Sequence, residues 1–331
     1  MYVQKYHAES LAEKSFLVTG GAGFIGSHLV EYLLKMGAGK VRVLDNLLTG
    51  KKENITPFLN DSRFEFIEGS VTDPQICQQA CAGIQFVSHQ AALGSVPRSV
   101  KDPWNTHLNN VDGFLHLLMA AKEAGVQRFV YASSSSVYGD EPHLPKQEDR
   151  IGAPLSPYAV SKYTNELYAA VFSRTYQFPT VGLRYFNIFG PRQDPSGMYA
   201  AVIPLFVHRM LNQQDIYIDG DGEQTRDFTY VENAVQANVR AFFASSDRLS
   251  GQVFNIACGQ RYSVNELFRR IAKQLDVAAV PLYREARTGD ILNSLADVSK
   301  AKRLMNYDPA VQFEEGLRKT VDFFHTQFKH S

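Results

Sequence analysis

A short apolar run, Ser15-Phe16-Leu17-Val18-Thr19, breaks directly into Gly20-Gly21-Ala22-Gly23-Phe24-Ile25-Gly26. Beyond it, apolar residues recur at helical spacing at Leu29, Val30, Leu33 and Leu34. No other stretch narrows the fold so far. A strand that turns through glycines into a helix brings backbone close to a ligand, with the helix's first N–H groups aimed at it. Read as G-x-G-x-x-G, the glycines are Gly21, Gly23 and Gly26; read as G-x-x-G-x-x-G, they are Gly20, Gly23 and Gly26. Either spacing suits a pyrophosphate. A second strand, Val41-Arg42-Val43-Leu44, ends in Asp45, about 20 residues on, where an acid meets a ribose 2′-hydroxyl. A carboxylate there repels a 2′-phosphate, so the set points to NAD(H) rather than NADP(H).

The alternation continues. Strands are expected at 64–67, 86–89, 128–132 and 180–183, and helices around 74–82, 109–124 and 158–176. Alternating strands and helices imply an α/β fold, a doubly wound parallel Rossmann sheet with ligands at the carboxyl ends of its strands. The strand-end segments are then 20–26, 45–46, 90–94, 133–136 and 184–187. Near residue 190 the regularity stops. We read 1–190 as the dinucleotide-binding domain and 191–331 as a smaller mixed α/β substrate domain, with amphipathic helices at 264–275 and 313–328. Segments near 228–257 are expected to return to the larger domain.

Charge is balanced, 34 basic residues against 34 acidic, so no global field attracts nucleic acid or anionic lipid. No apolar window is long enough to span a bilayer. The leading residues, Met1 to Lys14, are polar and charged, without a signal-peptide core. Cys77, Cys81 and Cys258 fit neither a zinc nor a redox spacing and read as reduced cysteines of a cytoplasmic protein. No metal site is expected.

Chemistry enters at Ser156-Pro157-Tyr158-Ala159-Val160-Ser161-Lys162. Tyr158 and Lys162 share a helix face, one turn apart. A free phenol titrates near ~10, and an adjacent ammonium favours the phenolate. Such pairs also arise by chance. Ser133-Ser134-Ser135-Ser136 follows a strand; in isolation it could be a solvated loop, but here a hydroxyl could share a substrate proton with the phenolate. The turn holds no acid, which disfavours dehydration or decarboxylation chemistry.

Together the TGGAGFIG turn, Asp45-Asn46, the SSSSVYG turn, YAVSK and Arg184-Tyr185-Phe186-Asn187 resemble the extended short-chain dehydrogenase/reductase superfamily. More narrowly, residues 89–99 (HQAALGSVPRS), Arg192-Gln193-Asp194-Pro195, Tyr199-Ala200-Ala201-Val202-Ile203-Pro204 and Gly289-Asp290 running to Asp297 resemble UDP-N-acetylhexosamine 4-epimerases. The likeness runs from Lys14 through nearly the whole chain. It implies Tyr158 as base at the sugar's 4-hydroxyl, Lys162 on the nicotinamide ribose, Ser134 bridging the 4-oxygen, and a tightly held NAD regenerated at each turnover. For the cofactor it implies Gly20, Gly23, Phe24, Ile25, Gly26, Asp45, Asn46, Thr49, Gly50, Val71, Gln90, Ala91, Ala92, Asn109 and Tyr185. For the UDP-sugar it implies Gly94, Ser95, Ser135, Ser136, Asn187, Gln193, Ala201, Val202, Tyr217, Arg226, Arg287, Asp290 and Ser294. A small residue at Ser294 would admit an acetamido group. Ser70 stands where the family usually has an adenine-contacting Asp, and Leu292-Asn293 replace its Arg-His pair. The helices 109–124 and 158–176 match the family's four-helix dimer interface, so a homodimer is expected.

Rival readings are an epimerase of UDP-glucose or UDP-uronates, a sugar-nucleotide dehydratase or decarboxylase, and a non-catalytic NAD-binding protein. The last has no reason to hold Ser134, Tyr158 and Lys162 together.

Overall fold

The strands of the first half are apolar almost without interruption, as strands covered on both faces must be. In the computed structural model, which describes residues 2–195, 200–245, 248–286 and 293–329, they form one parallel sheet. The elements run β1 (Ser15–Thr19), α1 (Phe24–Lys35), β2 (Lys40–Asp45), β3 (Phe64–Glu68), α2 (Pro74–Cys81), β4 (Phe86–His89), α3 (Val96–Lys101) and α4 (Pro103–His107). Then come α5 (Gly113–Glu123), β5 (Arg128–Ser134), α6 (Pro157–Tyr176), β6 (Thr180–Tyr185), β7 (Ile188–Phe189), α7 (Val202–Leu211), β8 (Tyr217–Asp219), β9 (Thr225–Arg226) and β10 (Thr229–Tyr230). The chain closes with α8 (Val231–Phe243), β11 (Gln252–Ile256), β12 (Tyr262–Ser263), α9 (Val264–Leu275), β13 (Leu282–Arg284), α10 (Ser299–Met305) and α11 (Phe313–Lys329).

The seven-stranded sheet has the order β11-β6-β5-β4-β1-β2-β3. On one face α1, α8 and α10 cover it through Leu29, Val30, Leu33, Phe242 and Met305; on the other α2, α5 and α6 do so through Cys77, Phe114, Leu118 and Phe172. The strand order reverses between β1 and β4, and a doubly wound sheet opens a ligand crevice there. β11 runs parallel to β6, Phe254 opposite Leu183, so the sheet's last strand comes from well beyond residue 190. The remaining strands pair off in twos, β7 with β10, β8 with β13 and β9 with β12. Beside them α7, α9 and α11 enclose a separate core of Phe206, Leu267, Phe268, Leu317 and Phe324.

Two features go beyond the sequence expectations. The helix expected from 109 is preceded by α3 and α4, and residues Leu108–Asp112 form a π turn before α5. Pro97 and Pro103 sit in first turns, and Ser95 and Asp102 cap them by accepting the amides of Arg98 and Asn105 at 3.3 and 3.0 Å. Each cap starts a new short helix where periodicity alone shows an irregular stretch. The polar leading segment is also no loose tail: Tyr2, Tyr6 and Leu11 are buried in the core beneath α1 and α8.

Under the carboxyl end of β5 lies a buried ion pair. Arg184 on β6 donates through Nε and Nη2 to the two carboxylate oxygens of Glu166 on α6, at 2.8 and 2.7 Å, and the Ser133 hydroxyl donates to the same carboxylate. Removing only the acid, as in Glu166→Leu, leaves a buried unpaired guanidinium and should cost about 3–5 kcal/mol of unfolding free energy. Urea denaturation of E166L beside the E166L/R184M pair checks this, with the double variant recovering most of the loss.

Candidate active site

The glycine turn is shaped by contacts that leave no room for a side chain. A Cβ on Gly26 would lie 2.1 Å from the Gly20 carbonyl oxygen, and Gly20 itself takes φ +68° with Ala91 N 2.7 Å from its would-be Cβ. A Cβ on Gly21 would meet the Val43 side chain at 2.6 Å and one on Gly23 the Gly20 carbonyl oxygen at 3.0 Å, so each glycine of both spacings sits at a close approach. The first turn of α1 has no side-chain cap and no acid, which leaves its positive end to a ligand. At the end of β2, Asp45 accepts the amides of Ala22 and Leu47 at 2.9 and 2.8 Å. Burial nonetheless raises its pKa above the usual value. Gly50 stands so close that its Cβ would lie 2.9 Å from the Asp45 carboxylate, so its role is to let that loop pass.

One cleft runs from this turn along the strand ends. Of the residues assigned above to a cofactor, it is lined by Gly20, Gly23, Phe24, Ile25, Gly26, Asp45, Asn46, Thr49, Val71, Gln90, Ala91, Ala92, Asn109 and Tyr185. Tyr185 donates to Gln90 Oε1 at 3.2 Å and accepts from Asn238 Nδ2 at 2.7 Å, which brings α8 to the rim. Ser70 turns away, its hydroxyl 2.8 Å from that of Thr72 and accepting the Thr72 amide at 3.2 Å. The cleft also uses Leu44, Leu48, Gly69, Leu93 and Ile188, which the sequence reading missed. They neighbour assigned residues at the same strand ends, and adjacency was the available signal.

Ser134, Tyr158 and Lys162 line the same cleft at its other end. Ser156 caps α6 by accepting the Ala159 amide at 3.1 Å with Pro157 in the first turn, so Tyr158 stands at the helix entrance. The Ser134 hydroxyl accepts the Ser136 amide at 3.1 Å and lies on the phenol side of the cleft, where it favours the Tyr158 phenolate. Lys162 Nζ donates to the Ala132 carbonyl at 2.9 Å and lies 6.0 Å from the Tyr158 ring centroid. Here the electrostatics differ from expectation. Burial raises the Tyr158 pKa, and the Ser134 hydroxyl only partly opposes it. Burial also pushes Lys162 down to about 8. With lysine committed to a carbonyl, a lowered phenol pKa requires a second positive charge beside it. Ser135 and Ser136 form a 3₁₀ turn outside the cleft, the Ser136 hydroxyl buried without a hydrogen-bond partner among the described residues.

A second cleft opens in the C-terminal lobe, lined by Asn187, Val202, Tyr217 and Arg226 together with Arg209, Gln224 and Arg284. Asn187 faces both clefts and donates to the Asp227 carbonyl at 3.1 Å. Tyr217 lies between two guanidinium groups, Arg209 at 5.7 Å and Arg284 at 5.4 Å from its ring centroid. Neither arginine was assigned from sequence, since nothing in their spacing joins them to the tyrosine. Ala201 is the N-cap of α7, next to Val202. Gly94 lines the first cleft, but Ser95 spends its hydroxyl capping α3. Gln193 donates to the Ile188 carbonyl at 3.2 Å, and its Oε1 is buried without a partner among the described residues. Ser294 is buried, its amide on the Thr225 carbonyl at 3.1 Å, and lines neither cleft. Arg287 and Asp290 lie outside the described residues.

Residues 16–257 match the family described as "NAD dependent epimerase/dehydratase family". The chain belongs to that family. A UDP-glucose 4-epimerase of Mycolicibacterium smegmatis is 38% identical over 93% of this chain and 97% of its own length. Among solved structures, the UDP-N-acetylglucosamine 4-epimerase of Methanobrevibacter ruminantium, in complex with UDP-N-acetylmuramic acid, superposes with a TM-score of 0.89 at 40% identity, covering 95% of this chain and 99% of that one. The UDP-glucuronic acid 4-epimerase of Bacillus cereus, in complex with UDP-glucuronic acid and NAD, superposes at 0.86 with 33% identity, covering 95% and 99%. NAD is the cofactor of this family, and the glycine cradle with its uncapped helix and the carboxylate at the end of β2 fit it. Because the Gly26 Cβ would strike the turn itself, Gly26→Ala should lower NAD affinity at least about tenfold, or about 1.4 kcal/mol. Quantifying the NAD released from purified wild type and variant checks this.

Proposed function

We propose that this enzyme interconverts UDP-N-acetylhexosamines at C4, UDP-GlcNAc with UDP-GalNAc, through a 4-keto sugar. The observation that carries an epimerase over its rivals is the acid content of the first cleft. Among the described residues that line it, the one carboxylate is Asp45, at the far end from Tyr158. The nearest acid behind the serine turn, Glu166, is sealed by Arg184 and Ser133. Elimination of water or of a carboxyl group calls for further proton-handling groups beside the sugar, whereas moving a hydride off C4 and back needs only one base. Tyr158 removes the 4-hydroxyl proton, Ser134 holds the 4-oxygen and passes the proton, and Lys162 favours the phenolate. Held by the glycine turn and Asp45, NAD would supply the acceptor and donor for the C4 hydride, with no net redox change. The diphosphate is assigned to Arg226 and Arg287, and the uridine end to Tyr217, Val202 and Ala201, with Asn187 between the two clefts.

The N-acetyl preference is supported by the likeness to the M. ruminantium enzyme and by the small side chain of Ser294. The M. smegmatis and B. cereus relatives support UDP-glucose and UDP-glucuronate as competing substrates equally well. Purified protein without added NAD should interconvert UDP-GlcNAc and UDP-GalNAc faster than it turns over UDP-glucose or UDP-glucuronate; a reversed order rejects the preference. Tyr158→Phe should lower kcat by about 10²–10⁴-fold, the usual contribution of a positioned acid–base group, and undiminished turnover rejects the mechanism. Ser294→Tyr should lose N-acetyl turnover selectively.

A homodimer is part of the same reading. Met119 on α5 and Val160, Leu167, Tyr168 and Val171 on α6 are exposed, the last four along one helical face. Sedimentation equilibrium returning a monomer counts against it. The cytoplasm is the proposed compartment, in keeping with three free cysteines. Among the described residues no helix is long and apolar enough to cross a membrane.

A further inference from the structure

The segment ahead of β1 lies outside the family match, which begins at residue 16. Tyr6 braces two helices: its amide donates to the Tyr32 hydroxyl on α1 at 2.8 Å and its phenol to Glu232 on α8 at 2.9 Å. Tyr2 makes a different connection. Its hydroxyl lies 2.8 Å from Nδ1 of the fully buried His28 on α1, and His28 Nε2 lies 2.9 Å from the Pro191 carbonyl oxygen. A carbonyl only accepts, so Nε2 carries the proton. The other nitrogen of a neutral ring is then an acceptor, and Tyr2 is the donor. Burial and the nearby Arg192 push His28 down to about 3, so the ring is neutral throughout the working range. The hydrogen-bond direction is therefore single, running from Tyr2 through His28 to Pro191.

Pro191 opens the loop that carries Arg192, Gln193 and Asp194. Arg192, in the left-handed region at φ 66°, is paired with Glu31 and donates to the Ser27 hydroxyl at 3.4 Å, both on α1. Asp194 meets Lys51 at 3.4 Å. These anchors all belong to the cofactor-binding half, while Gln193 Oε1 is buried without a partner among the described residues. We propose that the Tyr2–His28–Pro191 relay positions the substrate loop, tying Gln193 to the helix whose N-terminus receives the cofactor. Tyr2 and His28 are positioning residues. With both ring nitrogens engaged the imidazole has one orientation. Without the Tyr2 hydroxyl, Nδ1 is an unpaired buried acceptor and the ring can turn over and release Pro191. The role given to Gln193 rests on the substrate reading above; the holding of the loop does not.

Trypsin cleavage after Arg192, followed by mass spectrometry on the NAD-loaded enzyme, reads loop opening without reference to activity. Loss of one hydrogen bond of about 1 kcal/mol should raise cleavage about fivefold when opening is fast. His28→Leu and Tyr2→Phe should both show this. His28→Gln, whose amide can accept from Tyr2 and donate to Pro191, should restore protection. Tyr6→Phe, which loses only the brace to Glu232, should lower thermal stability without exposing Arg192. Unchanged cleavage in His28→Leu, or equal exposure in Tyr6→Phe, overturns the relay. In the same variants KM for the UDP-sugar should rise about fivefold with kcat within about twofold. Faster cleavage with unchanged KM upholds the relay and overturns the role of Gln193.

Discussion

The Glu166 carboxylate decides the geometry of the reacting end. It sits two helical turns beyond Tyr158 on α6, where it receives both a guanidinium from β6 and a hydroxyl from β5. Those are the elements that deliver Ser134, Tyr158, Lys162 and Tyr185 to the cleft. A helix lying on a sheet through apolar contacts alone can slide by fractions of a turn at small energetic cost, because dispersion is not directional. A bidentate arginine–carboxylate bond in a water-excluded site is directional and expensive to distort. The pair adds registration more than net stability.

A second buried carboxylate does the corresponding work between the lobes. Asp227 accepts the amides of Cys258 and Gly259 at 3.1 Å each and of Ala296 at 3.2 Å, while its own carbonyl receives Asn187. Those amides belong to the turn after β11 and to the chain just past Ser294, so one side chain gathers the sheet edge, the segment after β9 and the segment returning from 293. Burial outweighs the N–H bonds and leaves its pKa raised to about 7. Arg226, the neighbour in sequence, is thereby placed in the second cleft by a residue that lines neither cleft itself.

Legibility followed the physics of each signal. The glycine turn, Asp45 and the Tyr158–Lys162 pair are local patterns, and the sheet brings them to one edge as parallel topology requires. What the sequence did not show depends on distant partners. Arg209 and Arg284 gain meaning only from Tyr217 between them, and Glu166 only from Arg184. Tyr2 and Tyr6 sit among Gln4, Lys5, His7, Glu9 and Ser10, a composition that reads as solvated until α1 and α8 are seen to cover the aromatic rings. Lys162 is legible only in part for a related reason. Its nearness to Tyr158 is local, but its bond to the Ala132 carbonyl is not.

Substrate choice must then lie away from the reacting groups. In the proposed mechanism Ser134 and Tyr158 act only at C4 and its oxygen, and the same groups would serve any hexose presented in the right pose. Discrimination between a 2-hydroxyl, a 2-acetamido group and a 6-carboxylate has to come from what surrounds the sugar's other carbons. Two segments can do that here: the loop opening at Pro191, with Gln193, and the chain leading to Ser294. Ser294 itself lines neither cleft and is joined to β9 through its amide on the Thr225 carbonyl. The first segment is tied through His28 to a part of the chain outside the family match. That arrangement lets selectivity change with residues that touch neither sugar nor cofactor while the chemistry at C4 stays fixed.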